Sequence, residues 1–349
     1  MKKHLCIIIS LMLLFVSSLC FADPSKVLVI VNVNSKDSIS VANYYVSKRK
    51  IPNSNIFKVS CTTEETMTIK DFENKIRKPI ANYLNKNNRK YKIDYIVVTK
   101  GIPLRYRDEN VSWGLDNKLT LPFKSEDYRH PNPYFRANKP FSSKVYNMYL
   151  VTRLDAVTLE QAKALVDRSL AAKPLKGLFL IDTHPKRDFG GYKIVNDRMK
   201  LAAEILKSKG FEMKLESTEA FVGGKNLMGY YSWAKNDLNY DRNIYTSQLH
   251  FLPGSIAETG DSSSAATLRQ YSPTDRKVSH ITDLIRQGVT GVAGYVSEPY
   301  TYALAHADIL FDRYTSGRNL AESFYSSFQY INWKGLVIGD PLCAPYKGK

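Results

Sequence analysis

The chain has 349 residues, of which 44% are hydrophobic, and the apolar positions are spread along its whole length. This excludes an intrinsically disordered protein and predicts about two α/β units with a buried core. The formal net charge is +17 at pH 7, but the cations are dispersed and accompany no nucleic-acid-binding motif. We therefore predict no specific nucleic-acid partner and assign the charge to a surface that faces anionic lipid or polysaccharide.

The first 22 residues have the three parts of a secretory signal peptide. Lys2 and Lys3 form a basic start, residues 5–16 an apolar core, and residues 19–22 (LCFA) a cleavage pattern. The apolar run is shorter than the roughly 20 residues of a membrane-spanning helix, and no later run is long enough to span a membrane. Cleavage would lower the net charge from +17 to +15. We predict a secreted, periplasmic or envelope protein without a transmembrane span.

Two cysteines, Cys61 and Cys343, remain after the signal peptide. Export permits a disulfide between them, but each also suits a small buried core position. We favour two separate buried thiols. Cys343 is a poor candidate nucleophile, because no His lies near it in sequence and its neighbours are apolar.

The N-terminal subdomain, residues 23–155, alternates strands and helices. Residues 27–33 (VLVIVNV) form an apolar run that suits a strand buried on both faces. The other strands predicted here cover residues 56–60, 93–99 and 146–153, and the helices cover residues 38–50 and 69–84. This order predicts a parallel sheet with right-handed crossovers. At the turn after residue 99, Lys100 and Arg105 could hold an anion or simply lie exposed.

The helical and strand periodicities fail over residues 106–145, which are rich in Pro, Asn, Asp and aromatic residues. A long irregular segment inside a compact protein is usually functional or a lid. Its aromatic side chains could stack on sugar rings or pack on the neighbouring subdomain, and we favour packing; they are Trp113, Tyr128, Tyr134 and Phe135. His130 is a candidate ligand or base, although a lone loop His is more often solvated.

The C-terminal subdomain, residues 156–349, repeats the alternation and carries the candidate site. Its predicted strands cover residues 177–182, 211–216, 226–233, 249–252, 288–296 and 335–338, and its helices cover residues 158–171, 194–209, 278–287, 303–314 and 320–330. Together the two halves predict an α/β fold of two subdomains with mainly parallel sheets.

Small polar and acidic residues follow three of these strands. In doubly wound α/β proteins the ligand lies beyond the carboxyl ends of the strands, and we expect the strand 249–252 to halt at Pro253-Gly254. The ligand-binding residues that this predicts are Ser232, Asp237, Ser255, Glu258 and Glu298.

Catalysis by a Ser nucleophile needs a base within hydrogen-bond reach and an acid that orients the base. Ser255 lies at a predicted strand end, but the G-x-S-x-G turn of hydrolases is absent and His250 lies within the preceding strand. The catalytic candidates are Ser255, Glu258 and Glu298, of which Glu298 has the best claim to a function.

Carboxylates at strand ends could also bind a hard cation such as Ca²⁺ or Mg²⁺. The candidates are Asp237, Asp241, Glu258, Asp261, Glu298 and Asp340. No His or Cys pair has zinc spacing. Asp237 and Asp261 could equally cap turns, and Asp340 in Gly-Asp-Pro suits a hydrogen bond within its own turn. We predict no required cofactor, with a hard cation as the alternative.

Several segments resemble an uncharacterised family of exported bacterial proteins found in genomes that carry the exosortase protein-sorting system. The likeness covers most of the mature chain, and its segments are 38–52, 93–104 (IDYIVVTKGIPL), 229–237, 253–264, 291–300 (GVAGYVSEPY) and 335–346 (GLVIGDPLCAPY). The last two segments are specific. This resemblance implies export but no particular activity.

The chain is also similar, more distantly, to gingipain-like cysteine peptidases of the caspase-type fold, which have two α/β subdomains and a late Gly-Asp-Pro segment. The similarity implies a three-layer sandwich. In those peptidases a His at one strand end and a Cys at the next form the catalytic dyad. The corresponding strand ends here are residues 229–232 (GYYS) and 255–260 (SIAETG), so the similarity implies the fold without the dyad.

Two classes of function remain. The first is a non-catalytic, peptidase-like protein whose strand-end cleft binds a peptide or glycan, with a peptide, a surface protein or an anionic envelope polymer as partner. The second is a hydrolase that uses Ser255 or a carboxylate pair. Convergence of the predicted site residues on one pocket would favour the enzyme, and dispersal would leave a scaffold.

Overall fold

The computed structural model describes residues 23–125, 128–174, 177–274 and 278–348. The predicted signal peptide, residues 1–22, lies outside the described residues. The strands are β1 Val27–Asn32, β2 Ile56–Val59, β3 Thr66–Thr68, β4 Tyr95–Thr99, β5 Arg105–Asp108, β6 Val111–Gly114, β7 His130–Pro131, β8 Leu150–Leu154, β9 Leu178–Asp182, β10 Met213–Glu216, β11 Gly224–Ser232, β12 Leu249–Thr259, β13 Gly291–Tyr295, β14 Tyr330–Ile331 and β15 Gly335–Ile338.

The helices begin where polar residues accept hydrogen bonds from the first turn, as Ser35, Thr158 and Asn319 do. The helices are α1 Lys36–Arg49, α2 Ile69–Phe72, α3 Lys78–Asn85, α4 Leu115–Lys118, α5 Ser143–Tyr146, α6 Leu159–Leu170, α7 Gly190–Ser208, α8 Arg242–Ser247, α9 Ile281–Arg286, α10 Ala307–Thr315 and α11 Leu320–Ser327. In the part of the chain that the structure describes, no helix is both long enough and apolar enough to cross a membrane.

Ten strands form one central sheet, in the order β10-β9-β11-β12-β13-β15-β8-β4-β1-β2. Neighbouring strands are parallel except for the pair β13 and β15. The predicted α/β class with mainly parallel strands and helical layers is confirmed. β15 also pairs with β8, so the last strand joins the strands of both halves. The subdomain boundary at residue 155 stays a prediction.

The expectation that a strand halts at Pro253-Gly254 is wrong. β12 continues to Thr259. Its register with β11 shifts there, because Leu227 pairs with Phe251 and Gly229 with Ile256. Gly254 has a φ of 90°, which glycine adopts without strain, so the Pro-Gly pair makes a bulge in the strand and does not end it. Ser255 and Glu258 therefore lie within a strand.

The segment 106–145 is more regular than predicted. It contains most of the β5–β6 hairpin and the short elements α4, β7 and α5. Tyr134 is fully buried and its ring contacts Phe141 and Tyr146 edge-on. Asn132 donates to the carbonyl oxygens of Tyr325 and Phe328. Packing onto the second half is therefore confirmed for this part of the segment, although Tyr128 is 53% exposed.

Both cysteines are buried and unpaired, which confirms two separate thiols. Burial raises the pKa of the Cys61 thiol and of the Cys343 thiol to about 11. Neither sulfur is therefore a ready thiolate at neutral pH. Asp340 next to Cys343 also has a structural role, because it accepts hydrogen bonds from Tyr45 in α1 and from Leu342 in its own turn.

A fully buried arginine lies where the two halves of the sheet meet. The guanidinium of Arg153 in β8 donates to the Asp116 carboxylate at 2.9 and 2.6 Å. It also donates to the carbonyl oxygens of Ile102 and Pro103 at 2.7 and 2.8 Å. A buried cation is tolerated only when its charge and donors are matched in this way, so this network locks the turn after β4 and helix α4 onto β8.

Replacing this arginine tests how much the network stabilises the fold. Arg153→Met would leave the buried Asp116 and Asp155 without their shared cation, and we expect the free energy of unfolding to fall by about 3–5 kcal/mol, measured by urea denaturation. Arg269→Met is the control, because its ion pair with Glu64 is exposed and should lose less than about 1 kcal/mol. Equal losses of unfolding free energy in the two variants would contradict the conclusion that the buried Arg153 network stabilises the fold.

Candidate functional site

The carboxyl ends of β9, β11 and β12 lie side by side. Ser232 is in register with Asp182 on one side and with Thr259 on the other, and Tyr231 is in register with Glu258. Because successive side chains of a strand point to opposite faces, Asp182, Ser232 and Thr259 share one face and Tyr231 and Glu258 share the other. Ser232 and Glu258, predicted as parts of one site, are therefore separated by the sheet.

Glu258 is fully buried on the face that helix α10 covers, where Phe311 of that helix contacts Phe179 of β9. Its Oε1 accepts hydrogen bonds from the Thr259 N–H at 3.1 Å and the Tyr295 hydroxyl at 3.4 Å. Its Oε2 has no hydrogen-bond partner among the described residues. Burial raises the pKa of this carboxyl to about 8, so at pH 7 it is mostly neutral.

The two serines of the predicted site also lie away from solvent. Ser232 is fully buried, and its Oγ accepts from the Ala234 N–H at 3.0 Å, as in a turn cap. Ser255 is fully buried in β12 on the Ser232 face, and its Oγ has no hydrogen-bond partner within the described part of the chain. Neither hydroxyl is hydrogen-bonded to a histidine or presented to a substrate.

A buried histidine that sequence reasoning did not single out follows β9. His184 Nδ1 accepts from the Lys186 N–H at 3.1 Å, so in the neutral ring Nε2 carries the proton and faces Asn239 Oδ1 at 3.0 Å. Asp237, a predicted site residue, has its Oδ1 3.9 Å from the same Nε2. A His directly after a predicted buried strand was the sequence signal that could have found this pair.

Two buried carboxyl groups lie near the carboxyl end of β9, Asp182 in the strand itself and Asp237 in the loop after β11. Burial raises the pKa of Asp182 to about 8, and the nearby Asp237 adds to the increase. Burial likewise raises the pKa of Asp237. Asp182 Oδ2 accepts from the Val222 N–H at 3.1 Å. Asp237 therefore lies close to Asp182 and His184 and does not form a common site with Ser255 or Glu258.

A tryptophan seals the ends of β11 and β12. Trp233 is 1% exposed, and its Nε1 donates to Asn196 Oδ1 of α7 at 2.8 Å. Its ring lies on Gly260, where a Cβ atom would meet the ring at 2.5 Å. Only glycine permits this approach. The strand ends are thus closed to solvent by packing.

Glu298 follows β13 and is exposed, apart from the other predicted residues. Its Oε1 accepts from the Tyr300 N–H at 2.8 Å, and its backbone carbonyl accepts from Lys334 Nζ at 2.7 Å. Glu298 therefore shapes the loop after β13 and does not face Ser255 or Glu258.

The carboxylates considered as metal ligands are dispersed. Asp241 caps the start of α8, and Asp261 accepts from the Ser279 N–H and hydroxyl at 2.6 and 2.5 Å. Across the described ranges, no three His, Cys, Asp or Glu side chains are grouped as cation ligands. A Ca²⁺ or Mg²⁺ site stays an untested prediction.

The two cations after β4 have internal partners. Lys100 Nζ donates to the Ala156 carbonyl oxygen at 2.6 Å. Arg105 donates to the carbonyl oxygens of Ala266 and Val296 at 2.6 and 3.1 Å. The structure therefore uses both side chains to hold loops together, and the alternative of an anion site at this turn is not supported.

A cleft of about 370 Å³ lies between the start of α7 and residues 301–306. Tyr231 donates to the carbonyl oxygen of Ala305, which lines the cleft, at 2.8 Å. Tyr295 donates to the carbonyl oxygen of Ala303 at 3.3 Å. The cleft therefore lies over the sheet face of Tyr231 and Glu258, with the ends of the strands beneath its lining.

The cleft combines apolar and cationic side chains. Phe135, Ile194 and Leu304 supply apolar surface. The Arg136 guanidinium lies 5.8 Å from the Phe135 ring centroid and forms no ion pair with another described residue. Burial and the nearby Arg198 lower the pKa of His306 to about 4, so that ring is neutral at pH 7. Arg198 also lines the cleft but is ion-paired with Asp308, so Arg136 is the lining arginine without an ion pair to a described residue.

Neither a family model nor a curated protein sequence matches the chain. Two solved structures are similar to it. The complex of the pro- and mature domains of RgpB, a gingipain from Porphyromonas gingivalis, has a TM-score of 0.54 and 10% identity, covering 91% of this chain and 79% of that chain. A structure described as a protease has a TM-score of 0.52 and 10% identity, covering 94% and 80%.

At this level of identity the likeness shows the fold alone. The chain has a mixed α/β fold that is distantly similar to gingipain-like proteins, with a large and mostly parallel central sheet. The similarity to that fold, expected from the sequence, is confirmed. The activity of this chain has to be argued from its own residues.

The raised pKa of Glu258 predicts how stability depends on pH. The folded state keeps a proton up to about pH 8, whereas the unfolded chain releases it near its ordinary pKa, so the free energy of unfolding falls between about pH 5 and 8 and levels off above. Glu258→Gln removes this titration. We expect its stability relative to the parent to rise by roughly 2–4 kcal/mol over that range.

Urea denaturation at pH 5, 6, 7 and 8 measures the effect. Glu64→Gln is the control, because it makes the same substitution on the surface, where the side chain is 69% exposed. If the Glu258→Gln curve runs parallel to the parent at all four pH values, the carboxyl is not a buried neutral acid.

Proposed function

We propose that this chain is an exported, non-catalytic, peptidase-like protein, a pseudoenzyme that binds a peptide or glycan in the cleft between α7 and residues 301–306. Its partner would be a peptide, a surface protein or an anionic envelope polymer. Export is supported by the signal-like residues 1–22, and an association with the exosortase system by the two specific segments 291–300 and 335–346. Its place would be the secreted, periplasmic or envelope compartment.

The observation that carries this proposal is the closure of the strand ends. A nucleophile and its base must lie within reach of each other and of the substrate. Ser232, Ser255 and Glu258 are 0% exposed, and Trp233 packs over the end of β11. Tyr231, Ser232 and Trp233 at one strand end, and Glu258 and Thr259 at the next, supply neither the His nor the Cys of the peptidase dyad.

The cleft supports binding because its size and lining suit a small part of a polymer. Ligand sites usually have volumes of about 300–1,000 Å³ and apolar walls with a few polar groups. The accessible cation Arg136 fits an anionic group, such as a carboxylate of a peptide or of an acidic glycan. The net charge of the mature chain, +15 after loss of Lys2 and Lys3, favours the approach of the same class of ligand.

The alternative is a hydrolase with a serine or carboxylate site. The unpartnered Oε2 of the neutral Glu258 favours it, since a protonated buried carboxyl can act as a general acid. Against it, Ser255 lies on the opposite face of the sheet and Glu298 lies in the exposed loop after β13. These residues would have to act separately.

A turnover assay separates the two classes. With the mature chain, residues 23–349, hydrolysis of a broad panel of peptides, esters and glycosides should stay at the uncatalysed background, because the candidate nucleophiles Ser232, Ser255 and Cys343 are all buried. Ser255→Ala and Glu258→Gln should change nothing. Turnover by the parent that is lost in either variant, with folding intact by circular dichroism, would establish the hydrolase instead.

Blocking the cleft tests the binding role. Ile194 lines the cleft and is 58% exposed, so Ile194→Trp fills the space without disturbing the core. We expect binding to immobilised peptide and oligosaccharide libraries to weaken by about tenfold or more, equivalent to roughly 1.4 kcal/mol. Leu201→Trp is the matched control, since Leu201 is exposed on the same helix outside the cleft. Equal binding by both variants would exclude the cleft.

A further inference from the structure

Three aromatic rings form a patch beside the cleft. The ring centroids of Tyr302 and Trp333 are 5.5 Å apart, those of Tyr300 and Tyr302 5.7 Å, and those of Tyr300 and Trp333 6.4 Å. The interplanar angles are 12°, 19° and 30° in the same order. Since the three separations are similar, the nearly parallel rings form a compact patch and not a column. Tyr302 also lines the cleft.

An arginine holds the patch in place. The Arg129 guanidinium lies 4.8 Å from the Tyr302 centroid, 5.1 Å from Tyr330 and 5.4 Å from Trp333. It also donates to the Tyr302 hydroxyl at 2.5 Å. Cation–π attraction to several rings restrains their orientation. The patch is therefore ordered before any ligand arrives, which lowers the entropic cost of binding.

The outermost ring is exposed and is held by a strained backbone. Tyr300 is 58% exposed and has a φ of 60°, a conformation that is unfavourable for a bulky residue. Such strain persists where the surroundings enforce it and marks functional positions. Here the Glu298 carboxylate accepts from the Tyr300 N–H at 2.8 Å. Glu298 thus acts as a positioning residue for the exposed ring.

The shape of the patch favours a sugar over a peptide side chain. The recess next to it, lined by Pro299, Tyr330 and Trp333, has a volume of only about 10 Å³, too small for a side chain. A pyranose ring has a flat apolar face with hydroxyl groups around its edge. The exposed Tyr300 ring and the partly exposed Tyr302 ring match the first, and the Tyr300 hydroxyl, which can donate and accept, can pair with the second.

We propose that Tyr300 and Tyr302 bind sugar rings of a glycan, one end of which lies in the cleft. This inference rests on the proposed function and narrows its ligand from a peptide or glycan to a glycan. Glu298 contributes by holding the Tyr300 backbone, and Arg129 by ordering Tyr302.

The test is isothermal titration calorimetry of the mature chain with hexasaccharides of glucose, N-acetylglucosamine, mannose and galacturonic acid. We expect at least one of these to bind the parent, and Tyr300→Ala and Tyr302→Ala each to weaken that binding by about tenfold. Tyr91→Ala is the matched control, because Tyr91 is a 52% exposed tyrosine in another part of the chain, and it should bind as the parent does.

Variants of Glu298 separate a positioning role from a structural one. Glu298→Gln keeps an oxygen that can accept from the Tyr300 N–H and should retain binding, whereas Glu298→Ala should lose about as much affinity as Tyr300→Ala. Unfolding midpoints equal to that of the parent show that each variant folds. Loss of binding in both Glu298 variants would overturn the positioning role.

Three outcomes would overturn the glycan patch while leaving the proposed function to its own test. The parent binds none of the hexasaccharides but does bind the peptide library; then the cleft has a peptide ligand. In the second outcome, a hexasaccharide binds the parent, Tyr300→Ala and Tyr302→Ala with equal affinity, and only Ile194→Trp loses this binding. The cleft alone would then be the binding site. Tyr91→Ala loses as much affinity as the patch variants; then the effect is not local.

Discussion

The buried charge of Arg153 is the constraint on which the rest of the structure depends. A guanidinium with no solvent contact must have its charge and all its donors matched, and the partners come from Asp116 and from the turn at residues 102–103. The backbone carbonyl of Arg153 in turn accepts from the Gly339 N–H at 2.9 Å. This brings β15 alongside β8, so that one side chain and its backbone tie both halves into a single sheet.

Much of this fold can be predicted from local sequence. Runs such as residues 27–33 are strands because only a doubly covered sheet buries them, and α6 and α11 begin directly after the capping residues Thr158 and Asn319, within one residue of their predicted starts. The end of β12 could not be predicted in this way. Whether Pro253-Gly254 ends or merely bends a strand depends on the neighbouring strand β11, whose register with β12 is a tertiary property.

The candidate site illustrates the same limit at the level of one residue. The carboxyl ends of β11 and β12 are where the sequence placed it, but a register that pairs Tyr231 with Glu258 puts Ser232 on the opposite face. The amino-acid sequence of one strand cannot show which side chains of the neighbouring strand lie on the same face of the sheet. Nor could the sequence show that Trp233 packs on Gly260. It also could not show that the Glu298 carboxylate accepts a hydrogen bond from the Tyr300 N–H and lies in a loop away from Ser232 and Glu258.

The closed strand ends are linked by hydrogen bonds to the segment that lines the cleft. Glu258 is tolerated in the core because it is neutral there, and the Tyr295 hydroxyl shares its one proton between Glu258 and the Ala303 carbonyl oxygen in the segment that forms the cleft. Tyr231 likewise holds Ala305. The strand-end residues thus support the loop that shapes the cleft and continues into the aromatic patch. Under the proposed function, these strand-end side chains would act on ligand binding through the backbone that they hold, without touching the ligand.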